Sequence, residues 1–193
     1  MAQRILIING NPARERVSFS EALADSYREG AESKGRNVQT LHLARLVFDP
    51  ILHEGYHGEQ ASEPDIAAAR DLIAWAEHIV FIYPMWQFNI PALLKGFCER
   101  TLTPGFAYSL DAKNPLDAAL LKGRSARIIQ TMGMPGVLYD TLFGAHGGKA
   151  FQSLLKFTGL APVRASYLGL IEGGDEGRQR HLAHVQALGR TAR

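Results

Sequence analysis

The spacing of apolar positions changes period several times along the chain. Residues 4–8, RILII, form a β-branched run that stops at Asn9-Gly10-Asn11-Pro12, a cluster of turn residues, so a strand followed by a loop is predicted. Beyond it Phe19, Ala22, Leu23, Ser26 and Tyr27 recur at helical spacing, with Ser18 or Ser20 able to cap a helix running to about Gly35. Residues 38–43, VQTLHL, alternate as a second strand, and a polar connection bearing Pro and Gly leads to Pro64. Ile66, Ala69, Ile73 and Ala76 line one face of a second helix, opened by Glu63-Pro64-Asp65. The continuous apolar run IVFIY at 79–83, set between that helix and Pro84, has the pattern of a strand buried on both faces of a parallel sheet. A third helix, PALLKGFCERTL at 91–102, ends at Pro104-Gly105, and residues 104–123 read as an irregular insertion. RIIQT at 127–131 is a fourth strand, 133–136 its loop, 137–159 an interrupted helix, 163–170 a fifth strand and 175–188 a last helix.

Five strands alternating with about five helices predict an α/β doubly wound parallel sheet with right-handed crossovers. A length of 193 residues fits a single domain over 1–193. In such sheets ligands bind outside the carboxyl ends of the strands, where strand order reverses. This directs attention to three loops, at 10–20, 84–89 and 132–139.

Composition narrows the classes. No apolar run approaches the ~18 residues of a membrane span, and none resembles a secretory leader, so no membrane insertion is expected. The 21 basic and 19 acidic residues are interspersed, which gives no nucleic-acid stripe; the basic tail 178–193 reads as a solvated helix face. A lone cysteine, Cys98, excludes a disulfide within the chain and points to the cytoplasm, with Cys98 itself a small buried hydrophobe. His53, Glu54, His57 and Glu59 lack the H-E-x-x-H spacing and sit in a Gly-containing stretch, so they read as a solvated loop rather than a metal site.

The first loop, GNPARERVSFS, has neither G-x-G-x-x-G nor a P-loop lysine, which argues against a dinucleotide fingerprint and against ATP chemistry. It offers the hydroxyls of Ser18 and Ser20, the nearby Arg14 and Arg16, and the N–H groups of a helix start, a set suited to phosphate or to a plain helix cap. The second loop, PMWQFN, places two aromatic rings beyond a buried strand with no core to fill, where a flat π-system would suit them, as would a lid or a subunit interface.

The run from Pro84 to Phe97, P-M-W-Q-F-N-I-P-A-L-L-K-G-F, followed by Glu99-Arg100 and G-F-A-Y at Gly105 to Tyr108, resembles the flavodoxin-like NAD(P)H:quinone reductases of the DT-diaphorase type. That group includes bacterial modulator-of-drug-activity proteins and flavoprotein regulators of potassium efflux. Weaker agreement extends over nearly the whole chain, at Ser18-Phe19, Phe48-Asp49-Pro50 and Thr131 with Gly133. The resemblance implies a flavodoxin-like three-layer sandwich with strand order 2-1-3-4-5. It also implies a bound FMN or FAD, with FMN favoured because no segment is appended after the last helix. NAD(P)H would be the donor and a quinone-like molecule the acceptor, exchanged in one pocket by a ping-pong cycle. A regulatory flavoprotein docked on a membrane transport system is the alternative from another class.

Carried over by position, Ser18, Phe19 and Ser20 would hold the phosphate side of the flavin. Pro84, Met85, Trp86, Gln87 and Phe88, with Thr131, Met132 and Gly133, would hold its ring, and Asn11 stands where the family often has a cofactor-touching histidine. Tyr139 and His146 fall where the family has a tyrosine and a histidine beside the flavin; hydride arrival at N5 leaves negative charge at N1 and O2, which a phenol and an imidazole stabilise. Tyr108 matches an aromatic that reaches over the partner subunit's flavin, so a homodimer is expected, with Tyr108 and Phe106 on the substrate side. The chain departs from the family at Met132, where a glycine is usual, at Leu110, where a second aromatic would cover the pocket, and in the order Trp86-Gln87.

Overall fold

In this computed structural model the apolar runs are laid side by side as five parallel strands: β1 (Arg4–Asn9), β2 (Asn37–His42), β3 (His78–Pro84), β4 (Ser125–Thr131) and β5 (Val163–Leu168), in the order β2-β1-β3-β4-β5. The structure describes residues 2–14, 18–56, 58, 60–114 and 117–192. Among the described residues the α-helices are α1 (Phe19–Glu32), α2 (Pro64–Trp75), α3 (Ala92–Thr101), α4 (Gly136–Thr141), α5 (His146–Phe157) and α6 (Asp175–Thr191). The predicted alternation and strand order are both present, and the interruption within 137–159 is the four-residue break between α4 and α5.

The two faces of the sheet are sorted by the pleat, since successive side chains point to opposite sides. Ile5, Ile7, Val80, Ile82 and Ile129 meet Leu23, Ala24 and Tyr27 of α1 and Val185 of α6. Leu6, Ile8, Ile79, Phe81, Tyr83 and Ile128 meet Ile66 and Ile73 of α2, Leu94 and Phe97 of α3, and Phe151 and Leu155 of α5. Cys98 is fully enclosed on this second face, and burial pushes its thiol up to about 12, which suits a packing role.

Helices α1 and α6 cross with their backbones in contact. A Cβ at Gly30 would stand 2.1 Å from the carbonyl oxygen of Gln186, and one at Gly189 would stand 2.2 Å from that of Tyr27. Beneath this crossing a polar chain runs through the sheet: Tyr27 Oη lies 3.1 Å from His78 Nε2, and His78 Nδ1 lies 2.8 Å from Ser125 Oγ.

On the other face the long connection after β2 is fixed by one guanidinium. Arg100, buried in α3, donates to the carbonyls of Asp49 (2.5 Å) and Ala61 (3.0 Å) and, through two nitrogens, to both carboxylate oxygens of Glu63 (3.1 and 2.7 Å). Such a forked pair is stronger than an exposed ion pair because both partners are pre-oriented. Gly96 lets the chain approach α3, since a Cβ there would stand 2.4 Å from Pro50 O.

Candidate active site

The first loop leaves β1 by two side-chain-to-backbone turns, in which Asn9 Oδ1 accepts from Asn11 N–H (3.1 Å) and Asn11 Oδ1 accepts from Ala13 N–H (3.0 Å). Ser18 caps α1, its Oγ accepting from Glu21 N–H at 3.3 Å, and Asn11 Nδ2 lies 3.5 Å from Ser20 Oγ. The hydroxyls of Ser18 and Ser20, the amide of Asn11 and the opening N–H groups of α1 are groups of the kind that receive an anion. Phe19 is flanked by His181 edge-on, 6.4 Å between centroids, and by the guanidinium of Arg178, 5.5 Å from its ring centre. Arg178 and His181 were not legible as neighbours of this loop, because a basic stretch on a terminal helix has the pattern of a solvated face. Arg16 lies outside the described residues.

The second loop is a two-residue turn. Trp86 and Asn89 exchange backbone hydrogen bonds (3.0 and 2.9 Å) around Gln87 and Phe88, whose φ values of 48° and 62° are both left-handed. That is the type I′ pattern usually filled by Asn and Gly, and non-glycine residues held there cost roughly 1 kcal/mol each. Strain of this kind persists where the surroundings demand it and clusters at ligand sites. Trp86 is 51% exposed. Phe88 turns toward Phe143, with centroids 5.0 Å apart, and its carbonyl lies over Gly147, where a Cβ would come within 2.2 Å.

The third loop is tied to the second by Met85 N–H donating to Thr131 O (2.7 Å), and to β5 by Met132 N–H donating to Leu168 O (2.9 Å). Gly133 opens on space, its nearest would-be Cβ neighbour being 3.9 Å away. Tyr139 packs with Met132 and Ala145, flanked by Met85, Met134 and Tyr167. Only 1% exposed, it accepts from Gly148 N–H (3.0 Å) and Gln130 Nε2 (3.4 Å), which leaves its own proton to donate. His146, by contrast, is exposed as the first residue of α5. Gln130 Oε1 and Tyr83 Oη are buried without a partner below this loop, two acceptors that sequence reasoning did not single out because both belong to strand runs.

A cavity of about 1280 Å³ opens beside these loops, between α3 and α5, and is lined by Met85, Trp86, Gln87, Lys95, Tyr108 and Phe157 among others. It receives Met85, Trp86 and Gln87 of the second loop together with Tyr108, but not Pro84 or Phe88. The first-loop and third-loop residues do not line it, so the predicted site residues divide between a crevice at the sheet edge and a groove alongside. Phe106 is placed apart from both, its ring beneath the guanidinium of Arg70 at 5.7 Å. Leu110 is exposed. His53 pairs with Asp49 at 2.9 Å, His57 and Glu59 lie outside the described residues, and among the described residues no group of three His, Cys, Asp or Glu is placed to hold a metal.

A parallel sheet in the order 2-1-3-4-5, with loops after β1, β3 and β4 at the carboxyl ends of its strands, defines a flavodoxin-like fold. The chain belongs to the Flavodoxin_2 family, described as having a flavodoxin-like fold, whose profile matches residues 3–190. It is 34% identical over 131 residues to an uncharacterized NAD(P)H oxidoreductase of Haemophilus influenzae, covering 66% of this chain and 63% of that one. It is 25% identical over 213 aligned positions to an FMN-dependent NADH:quinone oxidoreductase of Macrococcus caseolyticus, covering 97% of this chain and 99% of that protein. Among solved structures, Smu.1420 from Streptococcus mutans superposes with a TM-score of 0.84 at 33% identity, over 98% of this chain and 100% of that one. Three of the curated relatives, the Haemophilus protein among them, are spanned over only 55–63% of their length. Among the described residues no helix is long and apolar enough to cross a membrane.

Proposed function

We propose that this chain is a single-domain, flavin-dependent NAD(P)H oxidoreductase that holds FMN in the crevice at the carboxyl ends of β1, β3 and β4 and passes two electrons to a quinone-like acceptor. The observation that carries this reading is the strained turn at Gln87-Phe88, set beside the open backbone of Gly133 and the anion seat at the start of α1. Together these residues fit a flat polar ring with a phosphate at one end. The partnerless Gln130 Oε1 and Tyr83 Oη below the third loop add unmet hydrogen-bonding capacity at the same edge. The name of the full-length Macrococcus relative, which specifies FMN, NADH and quinone, supports the same assignment.

In this reading Asn11, Ser18, Phe19 and Ser20 take the phosphate end, and Pro84 to Phe88 with Thr131, Met132 and Gly133 take the ring. FMN, when bound, supplies the hydride-accepting chemistry that no side chain offers. His146 provides an N–H or a positive charge where negative charge develops at the ring edge. Tyr139 acts one step back, holding the first turn of α5 through Gly148 N–H. Donor and acceptor use the groove in turn, the donor leaving before the acceptor enters. Tyr108 and the exposed Trp86 and Phe157 give that groove an aromatic wall, and a second copy of the chain covers it to make a homodimer in the cytoplasm. The deciding experiment is to purify the protein, release its chromophore by heat and assay NAD(P)H oxidation with a benzoquinone. FMN and acceptor-dependent turnover are expected; a colourless protein that gains no turnover on adding FMN would overturn the reading.

A further inference from the structure

A second, polar cavity of about 540 Å³ lies where α2 faces the end of α3, lined by Tyr56, Ser62, Arg70, Arg100 and Thr103 together with Gly55 and Gly58. Arg100 in its wall stands about 12 Å along α3 from Ala92, the first residue of that helix, counting eight residues of helical rise. The two guanidiniums in its wall are in different states. Arg100 is satisfied by two carbonyls and by both oxygens of Glu63. Arg70 is not. Its Nη2 donates to Arg100 O (2.9 Å) and to Thr103 Oγ1 (3.0 Å), while among the described residues its buried Nε meets no acceptor and its remaining nitrogen, Nη1, is unburied and unpaired.

Among the described residues no carboxylate stands within ion-pair distance of Arg70, and none lines the cavity. Burial, and then the neighbouring charge of Arg100, lower the pKa of Arg70, as for a cation short of counter-charge. The hydroxyls point the same way. Thr103 Oγ1 already accepts from Arg70, so its own proton is left to donate, and Ser62 and Tyr56 bring further O–H groups to the wall. A half-buried cation with an unused N–H edge, surrounded by donors and with no anionic partner among the described residues, suits acceptor oxygens.

We propose that this cavity is an oxyanion-binding site that takes a phosphate group, held by Arg70 and Thr103 with Ser62 and Tyr56 at its rim. Tyr56 also lines the groove between α3 and α5 and lies edge-on to Tyr108 with centroids 6.5 Å apart, so the phosphate is either free or part of a ligand that extends over this aromatic rim. The proposal does not rest on the cofactor assignment.

The test is calorimetric titration of the purified protein with inorganic phosphate against chloride at matched ionic strength, for wild type, Arg70→Met and Thr103→Val. Arg70→Met keeps an apolar stem against Phe106, and Thr103→Val keeps the shape while removing the hydroxyl. Saturable phosphate binding is expected in wild type, weakened about tenfold or more by Arg70→Met and less by Thr103→Val. Absence of binding in wild type, or equal binding in all three proteins, would overturn the site. Dissociation constants for NADPH and NADH separate the two sources. A loss confined to NADPH in Arg70→Met identifies the donor's phosphate, and unchanged dinucleotide binding with lost phosphate binding identifies the free ion. If Arg70→Met does not fold, Thr103→Val alone decides, and an unaltered phosphate affinity in it counts against the proposal.

Discussion

His146 is the exposed imidazole at the proposed ring edge, while Tyr139, its companion in sequence, is enclosed and hydrogen-bonded to α5. The two therefore carry different expectations. His146→Ala is expected to leave bound flavin and its spectrum unchanged and to slow reduction by NAD(P)H about tenfold to a hundredfold in stopped flow, the range for losing one positioned polar group. An unaltered rate would remove His146 from the site. Both residues were legible in the sequence through the resemblance, but their unequal burial was not, because it depends on how the break between α4 and α5 folds Met132 and Met134 around the phenol. Likewise Gln87 and Phe88 give no hint of left-handed backbone, since the usual sequence mark of a type I′ turn is Asn-Gly. Phe106 shows the converse: a residue type suited to a substrate pocket is held beneath Arg70 instead.

At the scale of elements, strand periods and helix starts were readable almost throughout, because parallel strands covered on both faces leave continuous apolar runs and α1 to α4 carry Ser or Pro at their openings. Tertiary approach is what the pattern withholds. Gly30 and Gly189 sit in the last turns of α1 and α6, where the pattern alone does not assign them a packing role, yet each is the point where one helix backbone rests on another. Gly189→Ala should cost about 1–3 kcal/mol in urea unfolding, as forced overpacking does, and a cost near zero would show that the crossing relaxes freely. His78 at the head of β3 is equally silent in sequence. Burial, followed by the charges of Arg127, Arg164 and Arg36, lowers its pKa to about 4. An unfolded chain takes up that proton near pH 6.5, before the folded one does, so stability is steady above that pH and falls as pH drops from 6.5 to about 4. The loss should reach about 2–3 kcal/mol and be absent in His78→Gln. Asp49 and Glu63, whose carboxyls are held below their ordinary values by hydrogen bonds, lose their contribution mainly below that window.

For the whole molecule the doubly wound sheet directed attention to the proposed site before any motif did, whereas the groove between α3 and α5 emerges only when both helices are packed. Its aromatic wall leaves Phe157 and Trp86 in solvent on a single chain. Phe157→Asp should therefore convert the proposed dimer to monomer in sedimentation velocity, with acceptor turnover falling while bound flavin is kept. A dimer of wild-type stability would place the interface elsewhere.

The forked grip of Arg100 on Asp49, Ala61 and Glu63 has a bearing on how such a protein diversifies. Both ends of the segment between 49 and 63 are fastened to one side chain of a neighbouring helix, so the stretch between them behaves as an interchangeable cassette whose contents can change while its mounting stays fixed. A chimaera that replaces residues 52–58 with a relative's loop and retains Arg100 should melt within a few degrees of the parent, while the same exchange in an Arg100→Leu background should not. Selectivity at the rim can in this way be rewritten without renegotiating the sheet.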